Sequence, residues 1–138
     1  MSAKTRRTAG FLLVVLPTVI FGGVSLLTLL IGAEPGYRDN PLRQDLWRAG
    51  HAHAGVLLIL SLVALRYVDE TNLSERARTA VRGLFPSAAI LLPAAFFLSV
   101  LSPDATEPNA LIYLAYLGAV LLTAGLLTLG IGLLRVKG

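Results

Sequence analysis

His51 and His53 are the only two histidines in the chain. They sit in the stretch Trp47-Arg48-Ala49-Gly50-His51-Ala52-His53-Ala54-Gly55, which runs straight into Val56-Leu57-Leu58-Ile59-Leu60. An imidazole nitrogen is the commonest protein ligand for transition metals and also ligates haem iron. An ionisable side chain at the edge of an apolar run is costly to bury without a partner, and marks a functional site by default. Successive helical residues turn by about 100°, which separates the two rings by roughly 200° around one helix. The pair therefore cannot grip one metal from one helix, as residues four apart do. Each histidine serves a different side. With no third histidine, a bis-histidine haem needs its second imidazole from another chain.

The elements that must hold this pair follow from where charge is absent. The chain has 138 residues, 55% of them hydrophobic and 14% charged, against about a quarter charged in soluble proteins. No Lys, Arg, Asp or Glu falls between Arg7 and Glu34, Arg48 and Arg66, Arg82 and Asp104, or Glu107 and Arg135. Each gap accommodates the roughly 20 apolar residues a spanning helix needs. The expectation is an all-α, single-domain integral membrane four-helix bundle over 1–138, with helices near 9–32, 48–67, 79–102 and 109–135.

The run from Phe11 to Ile31 exceeds the apolar core of a signal peptide, so Arg6-Arg7 precede a retained helix and not a cleaved leader. The net charge of +4 is spread over helix ends without an aromatic-lined patch, which argues against nucleic acid. The absence of cysteine excludes disulfides, thiolate metal sites and covalent c-type haem.

Orientation follows from Lys and Arg in short loops. Lys4, Arg6, Arg7, Arg66, Arg76, Arg78, Arg82, Arg135 and Lys137, nine of the twelve basic residues, fall on one side. That predicts both termini in the cytoplasm of a multi-pass cell-membrane protein, with the histidines near the outer face. Trp47 is expected as an interfacial anchor. Pro17, Pro86 and Pro93 fall inside helices, where neighbours in a bilayer protein satisfy the freed carbonyls. The small residues Ala124, Thr128 and Gly132 predict close packing of the last helix.

The stretch Gly50-His51-Ala52-His53 and its hydrophobic helix resemble the tenth helix of haem–copper oxidase subunit I. There the first histidine of a His-x-His pair ligates a high-spin haem and the second a low-spin haem on the opposite face. That subunit amounts to three four-helix units, with its histidines on the second helix of each, entered from outside, as in this chain. The resemblance implies a homotrimer in which His51 of one protomer and His53 of the next share a b-type haem. It implies electron transfer or diatomic gas chemistry with a redox partner. The histidines and tyrosine that build the family's copper site are missing, so reduction of oxygen to water is not implied.

Tyr113 and Tyr116 lie at similar depth near the start of the last helix and are candidates to line a haem pocket. Arg48, and secondarily Arg43, are candidates for haem propionates, because guanidinium matches carboxylate. Phe96 and Phe97 read as packing. Two alternatives stay open: Cu or Zn held by His51 from three chains, and a cofactor-free accessory subunit of a larger membrane complex. With no charged residue inside the spans, a transporter ranks last.

Overall fold

In a computed structural model, which describes residues 1–136, the chain is all-helical with no strand among the described residues. In order come α1 (Ala3–Ile31), the single turn α2 (Pro35–Arg38), α3 (Pro41–Val68), α4 (Glu75–Leu98), a 3-10 turn (Ala110–Tyr113) and α5 (Leu114–Leu134). Four helices are long and apolar enough to cross a membrane: α1, α3, α4 and Ala110–Leu134. The N-terminus, the α3–α4 turn and the end of α5 share one end of the molecule, called here the terminal end. The α1–α3 connection and the α4–α5 loop form the loop end. Lys137 lies outside the described residues.

Capping moves three helix starts upstream of their expected positions. Ser2 accepts from the Thr5 N–H at 3.2 Å, so α1 begins at residue 3 and not 9. Asn40 accepts from the Arg43 N–H at 3.1 Å with Pro41 at the first helical position, so α3 begins seven residues before 48. Ser74 caps α4 in the same way, ahead of 79. The histidines consequently sit about 15 Å along α3, in its third and fourth turns, instead of at its mouth. They remain just past Arg48, its last charge before Arg66.

α4 ends at Leu98, not 102. Asn109 folds back, donating its N–H to Ser99 O at 2.9 Å and its Nδ2–H to Leu98 O at 3.0 Å. This leaves Ser102-Pro103-Asp104 in the connecting loop. Pro17 lies inside α1, and Pro86 and Pro93 inside α4, as expected.

The helices pack as an open row in the order α1, α3, α4, α5. No described residue of α1 comes within 8 Å of α5, Cα to Cα. Leu57, Leu58 and Leu65 of α3 bury against Leu12 of α1 and Ala89 and Leu92 of α4, while Ala64, Val68, Val81, Phe85 and Leu129 form a second cluster. The α4–α5 seam runs along Gly118, Gly125 and Gly132. A Cβ on these would lie 2.8 Å from Leu92 Cγ, 3.0 Å from Phe85 Cε2 and 2.7 Å from Leu73 Cγ. Only glycine permits so close an approach. The expected stripe through Ala124 and Thr128 is displaced from this seam, and Ala124 faces outward.

Candidate functional site: the two histidines of α3

The helical period sends the rings to opposite flanks of α3. His53 turns toward α4, where its ring lies 5.1 Å from that of Phe96. The side chain is exposed, and its Nδ1 lies 2.7 Å from Ala49 O one turn earlier. A carbonyl only accepts, so Nδ1 carries the proton and the Nε2 lone pair is directed outward. Metal-ligating histidines are oriented in this way, with one nitrogen donated to a carbonyl and the other left to bind.

His51 turns toward α1 and packs on the adjacent glycines Gly22 and Gly23. A Cβ on Gly23 would be 2.9 Å from His51 Nε2, 3.0 Å from Cε1 and 4.0 Å from Cδ2, and one on Gly22 would be 3.6 Å from Nδ1. α1 thus meets the imidazole at its Nε2–Cε1 edge. Among the described residues no protein group hydrogen-bonds either nitrogen of His51.

The small residues flanking the pair are occupied by helix packing. The Cβ position of Gly50 lies 2.9 Å from Phe97 Cε2 and 3.2 Å from Phe96 Cβ, and that of Gly55 lies 3.5 Å from Val19 Cγ1. They bring α4 and α1 against α3 and leave no slot of their own for a flat ligand. Phe96 and Phe97 do pack, Phe96 against the His53 ring as well.

The remaining candidates divide. Arg48 precedes His51 by three residues, on the same flank one turn toward the loop end, and pairs with Asp45 at 2.6 Å on an exposed surface. Its guanidinium is available to a second carboxylate. Arg43 is not: it donates to Gly36 O at 2.7 Å, Val100 O at 3.1 Å and Leu101 O at 2.9 Å, and lies 4.0 Å from the centre of the Trp47 ring. Trp47 stacks on Tyr37 and donates its indole N–H to Phe97 O at 3.2 Å, so that N–H is turned inward, not toward headgroups. Tyr113 and Tyr116 stack on each other at 6.1 Å, both strongly exposed, and no hydrogen bond joins them to either imidazole. α4 stands between their helix and α3.

A second polar cluster, at the terminal end, escapes sequence reading. Arg82, 7% exposed, donates from Nη2 to Asp69 Oδ1 at 2.9 Å, from Nη1 to Glu75 Oε1 at 3.0 Å and from Nε to Thr5 Oγ1 at 2.9 Å. The Thr5 hydroxyl donates to Asp69 Oδ1 at 3.0 Å, and the Ser2 N–H donates to Asp69 Oδ2 at 2.6 Å. Burial opposes ionisation of Asp69, but the bonds from Ser2, Arg82 and Thr5 together outweigh it and hold the carboxyl down at about 2. The available signal was Glu75 and Arg82 seven residues apart on one face of α4. For the His51 cradle it was two adjacent glycines inside an apolar helix.

Among the described residues no three His, Asp or Glu side chains gather to hold a metal. Fold and site together define an all-helical protein with four potential membrane spans and a divergent histidine pair on the second. The chain belongs to the family described as a domain of unknown function (DUF8059), which matches residues 2–130. No curated protein and no solved structure matches it.

Proposed function

We propose that this protein is an integral membrane haem b-binding protein in which His53 of one copy and His51 of another supply the axial ligands. The observation that carries the reading is His53: an exposed imidazole on an apolar helix, with its proton fixed by Ala49 O and no hydrogen-bond partner for Nε2 among the described residues. Such a group in a bilayer calls for a partner. The opposed directions of the two rings and the open row of helices support a site shared between copies, a trimer by the resemblance to the oxidase architecture.

Arg48, on the His51 flank, is suited to a propionate. Bound haem supplies one-electron chemistry or diatomic ligand binding. The chain's own residues hold the two nitrogens, fix the His53 tautomer and exclude water with the apolar surfaces of α3 and α4. The basic residues at the terminal end orient that end to the cytoplasm of the cell membrane and the histidines to the outer side.

The test is a visible spectrum of the detergent-purified protein with added haemin, oxidised and reduced. A Soret band with split α and β bands, lost in His53→Ala, is expected. A featureless spectrum sinks the reading in favour of an accessory subunit, and a colourless protein carrying Zn, or one carrying Cu, favours direct metal ligation.

A further inference from the structure

We infer that the loop-end half of α1, residues 18–31, is a movable cover on His51, so that His53 is a standing ligand and His51 a gated one. This rests on the reading of both histidines as ligands, and it specifies how one of them is regulated.

The first argument is steric. A metal–imidazole bond is about 2.0–2.1 Å long. Gly23 lies against the Nε2–Cε1 side of the ring so closely that an added Cβ would come within 2.9 Å of the nitrogen, and the wide plane of a porphyrin on Nε2 would run into α1. With α1 seated, His51 is half-buried and has no room on Nε2 for the plane of a porphyrin.

The second argument concerns what holds α1 down. Its two buried residues, Thr5 and Leu12, both lie in the terminal-end half. Val19 is the last residue of α1 to pack against the core. Beyond it Ile20, Phe21, Val24, Leu27 and Ile31 are exposed. The hydroxyls of Thr18, Ser25 and Thr28 bond to carbonyls of α1 itself, and among the described residues no hydrogen bond joins residues 18–31 to α3 or α4. In a bilayer, lipid replaces a neighbouring helix at little cost, because no hydrophobic force drives helices together there.

The third is the pivot. Pro17 lacks the N–H that would bond Leu13 O, which removes one rung of the helix between its two halves. The Ser2–Thr5–Asp69–Arg82 cluster pins the base and Arg43 holds the chain again at Gly36, beyond Ile31, so the stretch between is the part that moves.

The chain has no cysteine, so Val19→Cys/Gly55→Cys adds only one disulfide, at a place where a Gly55 Cβ would lie 3.5 Å from Val19 Cγ1. The full-length double variant in detergent is treated with diethyl pyrocarbonate, and each histidine is followed by mass spectrometry. Oxidation is expected to slow carbethoxylation of His51 at least tenfold relative to the reduced form and to leave His53 unchanged. Equal His51 rates in both forms overturn the gate.

A second pair works without a crosslink. Gly23→Ala, whose methyl meets the His51 edge, should raise His51 reactivity severalfold. Gly22→Ala, with its methyl at an ordinary 3.6 Å, should not. Equal behaviour of the two overturns the cover as surely. Haemin separates the two readings. If the reduced double variant takes up haemin and the oxidised one does not, both hold. If neither form binds haemin, the haem reading fails while the histidine rates still decide the gate.

Discussion

Arg82 and Asp69 meet at 2.9 Å, bridging the start of α4 and the end of α3, with Thr5 of α1 bonded to both. Three helices are tied at one point by groups that are almost wholly shielded. Removing the Asp69 charge takes from Arg82 its more shielded carboxylate and leaves it only the half-exposed Glu75, at a cost of about 1–3 kcal/mol. Asp69→Asn should therefore lower the thermal unfolding midpoint in detergent clearly. Lys4→Met, which breaks only the exposed Lys4–Glu75 pair, should leave the midpoint nearly unchanged.

The same carboxyl gives a pH dependence of known sign. It is held near 2 in the folded chain against an ordinary 3.8. A depressed carboxyl contributes stability that is complete above the unfolded value and is lost as pH falls through the folded one. Unfolding midpoints should drop between about pH 4 and pH 2, and Asp69→Asn should flatten part of that drop. An unchanged slope in the variant would assign the acid sensitivity elsewhere.

Glycines along α5 should divide by what surrounds them. Gly118→Ala puts a methyl 2.8 Å from Leu92 Cγ and 3.2 Å from its backbone nitrogen, and overpacking of this kind costs about 1–3 kcal/mol. Gly130→Ala meets nothing within 4 Å and should stabilise by about 0.5–1 kcal/mol through helix propensity. Parallel melts of the two variants check the α4–α5 seam.

Arg43→Lys should behave as a damaging change. The fork that reaches three carbonyls while lying over Trp47 is a property of guanidinium, and an ammonium cannot reproduce it. Loss of about 1–3 kcal/mol is expected, with quenching and red shift of Trp47 fluorescence as the loop end loosens.

The proposed haem site between copies admits a complementation test. His51→Ala and His53→Ala, each defective alone, should regain about a quarter of the haem when co-assembled, since that share of head-to-tail interfaces pairs the two intact histidines. A site formed within one chain gains nothing from mixing.

The spans were legible because bilayer chemistry writes them as long charge-free gaps, and the opposed histidines because helical period is fixed. Helix ends were less so. Asn40 and Ser74 exert their effect through one hydrogen bond each, which moved two starts by several residues. Trp47 read as a lipid anchor because residue type does not reveal that Phe97 O faces its indole. Arg82 counted only toward topology, because its partners Thr5 and Asp69 lie 77 and 13 residues away and meet it only after three helices converge. The positions of His51 and His53 were accessible, but the cover on His51 depends on which helix lies beside α3, and sequence period does not carry that.

That convergence also sets an order of events during synthesis. α1 is made before α3 and α4, yet its polar tether requires Asp69 and Arg82, which leave the ribosome more than sixty residues after Thr5. Until the α3–α4 turn is complete, Thr5 has only its local bonds to Ser2, and the Ser2 N–H lacks its carboxylate. Helices able to cross a membrane insert singly and associate afterwards, and a nascent chain truncated before residue 82 would leave α1 without its tether.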